Sequence, residues 1–151
     1  MNAEPTFLQT DQDAGRDERT GLFVLSSAQC AAVLNSTSVG RIVFVDGEYP
    51  IAVPVNFAWF ENSVVFRTGE GQKLRAATIE QPVSFEVDQI DEATHSGASV
   101  IVKGTARAVT DWAEQEELEQ LSVRPWQRLP WRHGWIRIDP VEVTGRKLDV
   151  R

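Results

Sequence analysis

Residues 50–68 read PIAVPVNFAWFENSVVFRT, and this stretch decides the fold class. Its two apolar runs, 51–60 and 64–68, are rich in β-branched and aromatic residues, which favour extended strands. The residues between the runs, Glu61, Asn62 and Ser63, are polar and predict a reversal of the chain. Because so short a connection joins antiparallel neighbours, the stretch predicts a β-hairpin.

Further strand-like runs lie on both sides of this hairpin. On the N-terminal side, Asp46 and Gly47 predict a second reversal. On the C-terminal side, Asp139 and Pro140 separate the last two runs, and proline is unfavourable inside a strand. The pattern predicts six or seven strands, mostly antiparallel, of which the further ones are 41–45, 83–87, 99–109, 135–138 and 141–143.

Several of these runs are apolar at consecutive positions, as in residues 42–45 and 100–102. A strand with one face in water would alternate apolar and polar residues, so both faces of these strands must be covered. A closed barrel fills its interior with one set of side chains, and helices or a second subunit can cover the other set. We therefore predict a mainly β fold, an antiparallel barrel with peripheral helices, that forms a homodimer.

Three segments predict helices, and one predicts a tail. A short helix follows the N-cap candidates Ser26 and Ser27, a second spans residues 72–80, and a third spans 111–121 with Asp111 as its N-cap. The third is acidic, and its carboxylates are interpreted as a solvated face: Glu114, Glu116, Glu117 and Glu119. Residues 1–20 are polar and predict a flexible tail, which leaves 21–151 as one domain.

Composition narrows the classes of function. The 151 residues carry a net charge of −7, which disfavours nucleic acid as a partner. The single cysteine, Cys30, cannot form an intrachain disulfide, and two histidines cannot complete an ordinary zinc site. No long apolar segment or signal-like N-terminus is present, so we expect no membrane association and a cytoplasmic location.

A small cation cluster follows the hairpin. Arg67 supplies a fork of donors suited to a phosphate, Thr68 adds a hydroxyl and Lys73 adds a positive charge. Gly69 and Gly71 allow the backbone to approach a ligand closely. The pattern indicates anion binding, although the same residues also fit surface charges beside an ordinary strand-to-helix turn.

Taken together, five segments resemble the pyridoxamine 5′-phosphate oxidase-like FMN-binding split barrels, in particular the branch with nitroimidazole-resistance-like proteins. The similarity runs from about Leu25 to Leu148. Its markers are VGRIVF at 39–44, PIAVPVNF at 50–57, FRT followed by KL at 66–74, FEVD at 85–88 and VTGRKL at 143–148. No single marker is diagnostic, but the set is fairly specific.

The resemblance implies a six-stranded antiparallel split barrel with FMN between two protomers. It places the phosphate at Arg67, Thr68 and Lys73, with help from Gln72. It also implies that one strand runs beside the isoalloxazine ring, through Val53, Pro54, Val55 and Asn56. Members of the wider superfamily use a deazaflavin coenzyme or haem, so these and FAD stand as alternatives to FMN.

The segment 125–133 carries two Pro-Trp pairs among cations. Trp126 is a candidate to cover the flavin across the dimer interface, while a loop that caps the barrel core is the other interpretation. No catalytic side chain can be named from spacing, which agrees with chemistry performed by a cofactor. The predicted function is a flavin-dependent oxidoreductase acting on a small organic molecule, with a non-enzymatic flavin-, deazaflavin- or haem-binding module as the alternative.

Overall fold

The computed structural model describes residues 15–69, 73–125 and 133–149. Short polar connections join most of its strands, and three helices lie between strands within the described residues. The elements in chain order are β1 (Phe23–Val24), α1 (Ser27–Ser36), β2 (Val39–Asp46), β3 (Tyr49–Phe60), β4 (Ser63–Gly69), α2 (Lys73–Thr78), β5 (Pro82–Asp91), β6 (Ser96–Ala108), α3 (Trp112–Glu119) and β7 (His133–Asp149).

The six long strands close into a ring. Their order is β7, β4, β3, β2, β5 and β6, and β6 pairs back onto β7. Every pairing is antiparallel. The two-residue β1 pairs with the C-terminal part of β7, with Phe23 opposite Lys147. The predicted mainly β fold, a six-stranded antiparallel split barrel, is confirmed, and β1 is a short addition that was not predicted.

Side chains that alternate inward along the strands fill the barrel. Phe85 on β5 lies at the centre, where its ring meets that of Phe57 edge-on, with centroids 4.8 Å apart. Gly40 on β2 leaves the space that the Phe85 ring occupies, because a β-carbon there would overlap it. Phe66 on β4 stacks on the other side of Phe85 and is fully buried. The inward-facing residues of the strands are apolar because they pack around this aromatic centre.

A second apolar cluster lies outside the barrel. Val65 of β4 and Trp135 of β7 point outward, and Leu118 of α3 packs on them with Val109 and Val123. Helix α3 therefore covers the outer face of these two strands. Elsewhere large apolar side chains of the strands remain exposed, among them Val45, Tyr49, Ile90, Ile101 and Val141.

Strand β7 corrects one prediction. Residues 135–138 and 141–143 are not two strands broken by Asp139 and Pro140 but parts of one strand. Lys103 faces Glu142 whereas the next residue, Gly104, faces Pro140, so Val141 is an extra residue in a bulge. A bulge tolerates proline because the ladder is already interrupted there.

The helix predictions are close to the observed elements. Ser26 caps α1 in a capping box with Gln29, and Asp111 caps α3. Helices α2 and α3 are shorter than the predicted 72–80 and 111–121. None of the helices in the described part of the chain combines the length and the hydrophobicity that crossing a bilayer requires.

The described part of the predicted tail, residues 15–20, makes defined contacts with the domain. Arg16 forms an isolated bridge with Phe23, and its guanidinium lies 4.3 Å from that ring's centroid. Asp17 accepts hydrogen bonds from the guanidinium of Arg146 on β7, at 3.2 and 3.3 Å. Residues 1–14 lie outside the described residues.

Candidate functional site

The candidate site lies at the end of β4, where two neighbouring residues point to opposite faces of the sheet. Arg67 points outward, beside the outer cluster, and is paired across the sheet with Trp135. Thr68 points to the other face and is paired with Gly134. This alternation follows from the two-residue period of a strand. Polar groups therefore reach both faces of β4 at one end of the barrel.

The guanidinium of Arg67 is held by an aromatic ring and a carboxylate. Its central carbon lies 5.0 Å from the centroid of the Trp135 ring, a cation–π distance. Its Nη1 donates to Oε2 of Glu119 at 3.3 Å, and Oε1 of Glu119 accepts from the Trp135 indole N–H at 2.9 Å. The Nε of Arg67 is buried and has no hydrogen-bond partner among the described residues. One donor of the fork thus remains available.

Two more polar atoms without partners lie on the other face of β4. The hydroxyl of Thr68, a residue only 4% exposed, and Nη1 of Arg75 are both buried and unpaired within the described residues. Arg75 belongs to α2, and its guanidinium occupies the space where a side chain at position 134 would stand. Because Gly134 faces Thr68, the guanidinium and the hydroxyl lie on the same side of the sheet.

Buried donors without partners are costly. Leaving one unsatisfied costs about 1–3 kcal/mol, and more for a charged group. Two of the three groups are guanidinium nitrogens, which only donate, and the third is a hydroxyl, which can also donate. On either face of β4 a ligand oxyanion would satisfy the donors of that face, so the residues present fit a phosphate.

Residues 53–56 of β3 divide between the two faces. Val53 and Val55 point into the barrel and pack in its core. Pro54 and Asn56 point outward, the face that Arg67 shares. Asn56 immediately precedes Phe57, whose partner on β4 is Phe66, so it lies beside Arg67. Its amide donates to the carbonyl oxygen of Arg124 at 2.6 Å, which ties the segment after α3 to this edge.

The remaining residues of the predicted site are described only in part. Lys73 is the first residue of α2, directly after the turn that follows β4, and nothing is described of its side chain. Gln72 and Trp126 lie outside the described residues. The structure thus places Arg67 and Asn56 side by side on the outer face at the end of β4, and Thr68 on the opposite face.

An ion-pair network fixes α3 over the site. Glu114 of α3 accepts hydrogen bonds from Arg107 at 2.8 and 3.1 Å and from Arg137 at 2.8 Å. Arg137 is 9% exposed and also donates to the hydroxyl of Ser63. The two guanidinium groups, Arg107 first, hold the pKa of Glu114 below its usual value. The network anchors the helix that carries Glu119.

These contacts correct the interpretation of α3 as a merely solvated acidic face. Glu116 and Glu117 are exposed as expected. Glu114 and Glu119, in contrast, point toward the barrel and pair with arginines of β4, β6 and β7. Sequence spacing could not reveal this, because the partners of each glutamate come from distant strands.

A second charged group lies on the outer face of β2 and β5. Arg41 donates to Glu86 at 3.0 Å and to Asp88 at 2.9 Å. Burial is the main cause that raises the pKa of Glu86. Sequence reasoning found no partner for these carboxylates, although Arg41 and Glu86 are directly paired across the strands. One guanidinium thus bridges two carboxylates, which links β2 and β5 and leaves the group with a net negative charge.

Sequence reasoning also missed Arg75 and Gly134. Arg75 lies two residues beyond Lys73, yet nothing local distinguishes it from a solvent-exposed helix cation. Its guanidinium fits beside β7 because residue 134 is a glycine. Only the pairing of the strands shows that this glycine lies opposite Thr68. Gly134 after His133 is a weak signal, since a glycine within a strand indicates close approach of another group.

Comparisons with known proteins agree with this architecture. A family model described as pyridoxamine 5′-phosphate oxidase matches residues 26–147. An uncharacterised protein of Mycobacterium tuberculosis is 42% identical over 84 residues, which are 56% of this chain and 74% of that protein. The structure of the FAD binding protein from Mycobacterium smegmatis is 37% identical with a TM-score of 0.77, covering 85% of this chain and 99% of that one.

A more distant structure shares the fold alone. It is a provisionally assigned 5-nitroimidazole antibiotic resistance protein from Bacteroides thetaiotaomicron, 12% identical with a TM-score of 0.65. It covers 83% of this chain and 87% of that one. The predicted family resemblance, drawn from five short segments, is confirmed by the family model that matches residues 26–147.

Proposed function

Because this chain belongs to the pyridoxamine 5′-phosphate oxidase family, we propose that it binds a flavin nucleotide, FMN or FAD, with a phosphate at the end of β4. The single observation that carries the proposal is the set of buried, unpaired donors there: Arg67 Nε, Thr68 Oγ1 and Arg75 Nη1. Arg67 Nε lies on the outer face of the sheet and the other two donors on the opposite face, so a phosphate at the end of the strand, within reach of both faces, would supply the acceptors that they lack. The FAD binding protein of M. smegmatis, similar over 85% of this chain, supports a flavin as the ligand.

The flavin ring would extend from the phosphate along the outward face of β3. Pro54 and Asn56 lie on that face, and the backbone there can meet the polar edge of the ring. When bound, the flavin supplies hydride or electron transfer. The protein's part is to bind it, orient it and limit access of water, so no side-chain nucleophile is required. We propose an oxidoreductase whose substrate is a small organic molecule.

A second copy of the chain would complete such a site. Large apolar side chains remain exposed on the outer faces of several long strands, including Val45, Ile90 and Ile101. Their burial against a partner removes apolar surface from water, the main favourable contribution to most protein association. We propose a homodimer, to be tested by sedimentation of the purified protein with and without flavin.

The first experiment identifies the ligand. The visible spectrum and mass of the purified protein are recorded, followed by titration with FMN, FAD, a deazaflavin coenzyme and haemin under identical conditions. We expect flavin absorption bands and release of FMN or FAD on denaturation. Absence of binding by both flavins would contradict the proposal, and binding of haemin alone would replace it with a haem-binding function.

A double substitution tests the site. Arg67→Ala with Lys73→Ala is expected to abolish flavin binding while the protein stays folded and dimeric. Lys103→Ala with Lys147→Ala removes the same charge from exposed positions elsewhere on the barrel and should leave binding unchanged. Retained flavin affinity in the first variant would show that the phosphate lies elsewhere.

Turnover tests the activity. A flavoprotein with an enzymatic role should reduce a small organic acceptor repeatedly when a reductant is supplied. Tight flavin binding without turnover over a panel of reductants and acceptors would contradict the oxidoreductase and indicate a carrier or sensor.

A further inference from the structure

Glu119, at the C-terminal end of α3, places a carboxylate on the arginine of the proposed phosphate site. Its Oε2 lies 3.3 Å from Arg67 Nη1, and its side chain is 48% exposed. Its other oxygen accepts from the indole N–H of Trp135 at 2.9 Å. The two donors hold the half-exposed carboxylate beside the guanidinium.

The fold maintains this carboxylate. Trp135 is 2% exposed, so its indole N–H would lose its acceptor if Glu119 moved away. Glu114, five residues earlier on α3, is anchored to Arg107 and Arg137, which fixes the position of the helix. A phosphate that approaches Arg67 therefore meets a negative charge that has no easy way to withdraw.

We propose that Glu119 determines the choice of flavin, disfavouring FMN and favouring a flavin whose phosphates each carry a single negative charge, such as FAD. This inference rests on the proposed phosphate site at Arg67. It goes further by assigning to Glu119, a residue outside the predicted phosphate-binding set, control over which flavin is accepted.

The reason is the charge of each phosphate. A phosphate monoester, as in FMN, carries about −1.5 to −2 near neutral pH because its second pKa is about 6. In FAD each phosphate has one ester and one anhydride linkage and therefore carries a single negative charge. The negative charge of Glu119 weakens the attraction of Arg67 for the ligand's phosphate. It also repels that phosphate, and the repulsion grows with the negative charge on the phosphate. Glu119 therefore weakens the binding of FMN more than the binding of FAD.

Arg67 can still bind a singly charged phosphate oxygen. Its Nε is buried, unpaired within the described residues and not engaged by Glu119. The acidic side chain thus leaves one donor for an oxygen of a singly charged phosphate, while it weakens the positive potential that attracts a doubly charged one. A flavin without phosphate, riboflavin, should not respond to Glu119 at all.

The test compares ligands across matched variants. Dissociation constants of FMN, FAD and riboflavin are measured for the wild type, for Glu119→Gln and Glu119→Ala, and for the control Glu117→Gln. Glutamine keeps an oxygen acceptor for the Trp135 indole, and the half-exposed position tolerates both substitutions. Glu117 is exposed on the same helix, and its substitution by glutamine removes one negative charge, as Glu119→Gln does.

Removal of the carboxylate should raise the affinity for FMN relative to FAD by about fivefold, which corresponds to about 1 kcal/mol. Glu117→Gln should leave that ratio unchanged, and riboflavin binding should be unchanged in every variant. An unaltered ratio in both Glu119 variants, or an equal change in the control, overturns the inference while the flavin site stands. Failure of all flavins to bind the wild type overturns the proposed function itself.

Discussion

Thr68 of β4 lies directly opposite Gly134 of β7, and the guanidinium of Arg75 fills the space beside that glycine. Gly134→Ala would place a methyl group where the guanidinium lies and displace it. Since Arg75 is a flexible side chain, the fold should survive. We expect flavin affinity to fall about tenfold, the effect of losing one charge-assisted hydrogen bond of about 1.5 kcal/mol. Flavin titration and a thermal melt measure the two effects.

A double variant provides the control for Gly134. If the methyl group acts through Arg75, then Arg75→Ala with Gly134→Ala should bind flavin no more weakly than Arg75→Ala alone. Additive losses would mean that Gly134 affects binding by another route.

Thr68→Val separates stability from binding. Valine has nearly the shape of threonine but lacks the hydroxyl, which is buried without a partner among the described residues. Its removal should raise the free energy of unfolding of the ligand-free protein by about 1 kcal/mol and weaken flavin binding. Denaturant unfolding and titration measure the two changes. Thr78→Val is the matched comparison: that hydroxyl donates to the Leu74 carbonyl, so its loss should destabilise the protein.

Glu114→Gln should destabilise the protein in a pH-dependent way. The variant leaves Arg107 and the buried Arg137 without their shared carboxylate but with Asp139 still beside both, at a cost of about 2 kcal/mol near neutral pH. The folded protein lowers the pKa of Glu114 from its usual 4.5, chiefly through the Arg107 hydrogen bond. The carboxylate therefore stabilises the fold above pH 4.5, and this contribution is lost as the pH falls through the lowered pKa.

Urea unfolding of both proteins across the acid range checks that prediction. The difference between wild type and Glu114→Gln should be largest near neutral pH and should shrink as the solution is acidified. A difference that stays constant with pH would show that the charge of Glu114 is not what stabilises the helix.

Gly40→Ala tests the barrel centre. A β-carbon at position 40 would overlap the Phe85 ring, which is already packed against Phe57 and Phe66. Overpacking of this kind costs about 1–3 kcal/mol. A lower melting temperature is expected, whereas Gly15→Ala, at a position with open surroundings, should melt like the wild type. Equal melting temperatures would mean that the aromatic centre can rearrange freely.

Local patterns were sufficient to predict most of the strands. The run at 51–60 lies within β3, and the three-residue turn after it is correct to within a residue because polar residues separate two strongly apolar runs. Pro140 misled the prediction because proline lacks the N–H that a regular ladder requires. The bulge that admits it depends on the partner strand β6, whose residues lie far away in the sequence.

The site was less accessible to sequence reasoning. Arg67 and Thr68 could be named because they adjoin glycines and the start of a helix, but Arg75 and Glu119 could not. Each depends on a pairing between distant segments: Arg75 with Gly134, and Glu119 with Arg67 and Trp135. Such contacts arise only when the barrel closes, so apart from the weak signal of Gly134 the local pattern does not reveal them.

The closure of the ring has a consequence for biosynthesis. Strand β7 follows the other described strands in the chain, yet it pairs with both β4 and β6. While a ribosome is still translating the segment before it, those two strands keep unpaired edges, which are prone to associate with other chains. We therefore expect nascent chains that stop before β7 to bind holdase chaperones and to be released once that strand has emerged.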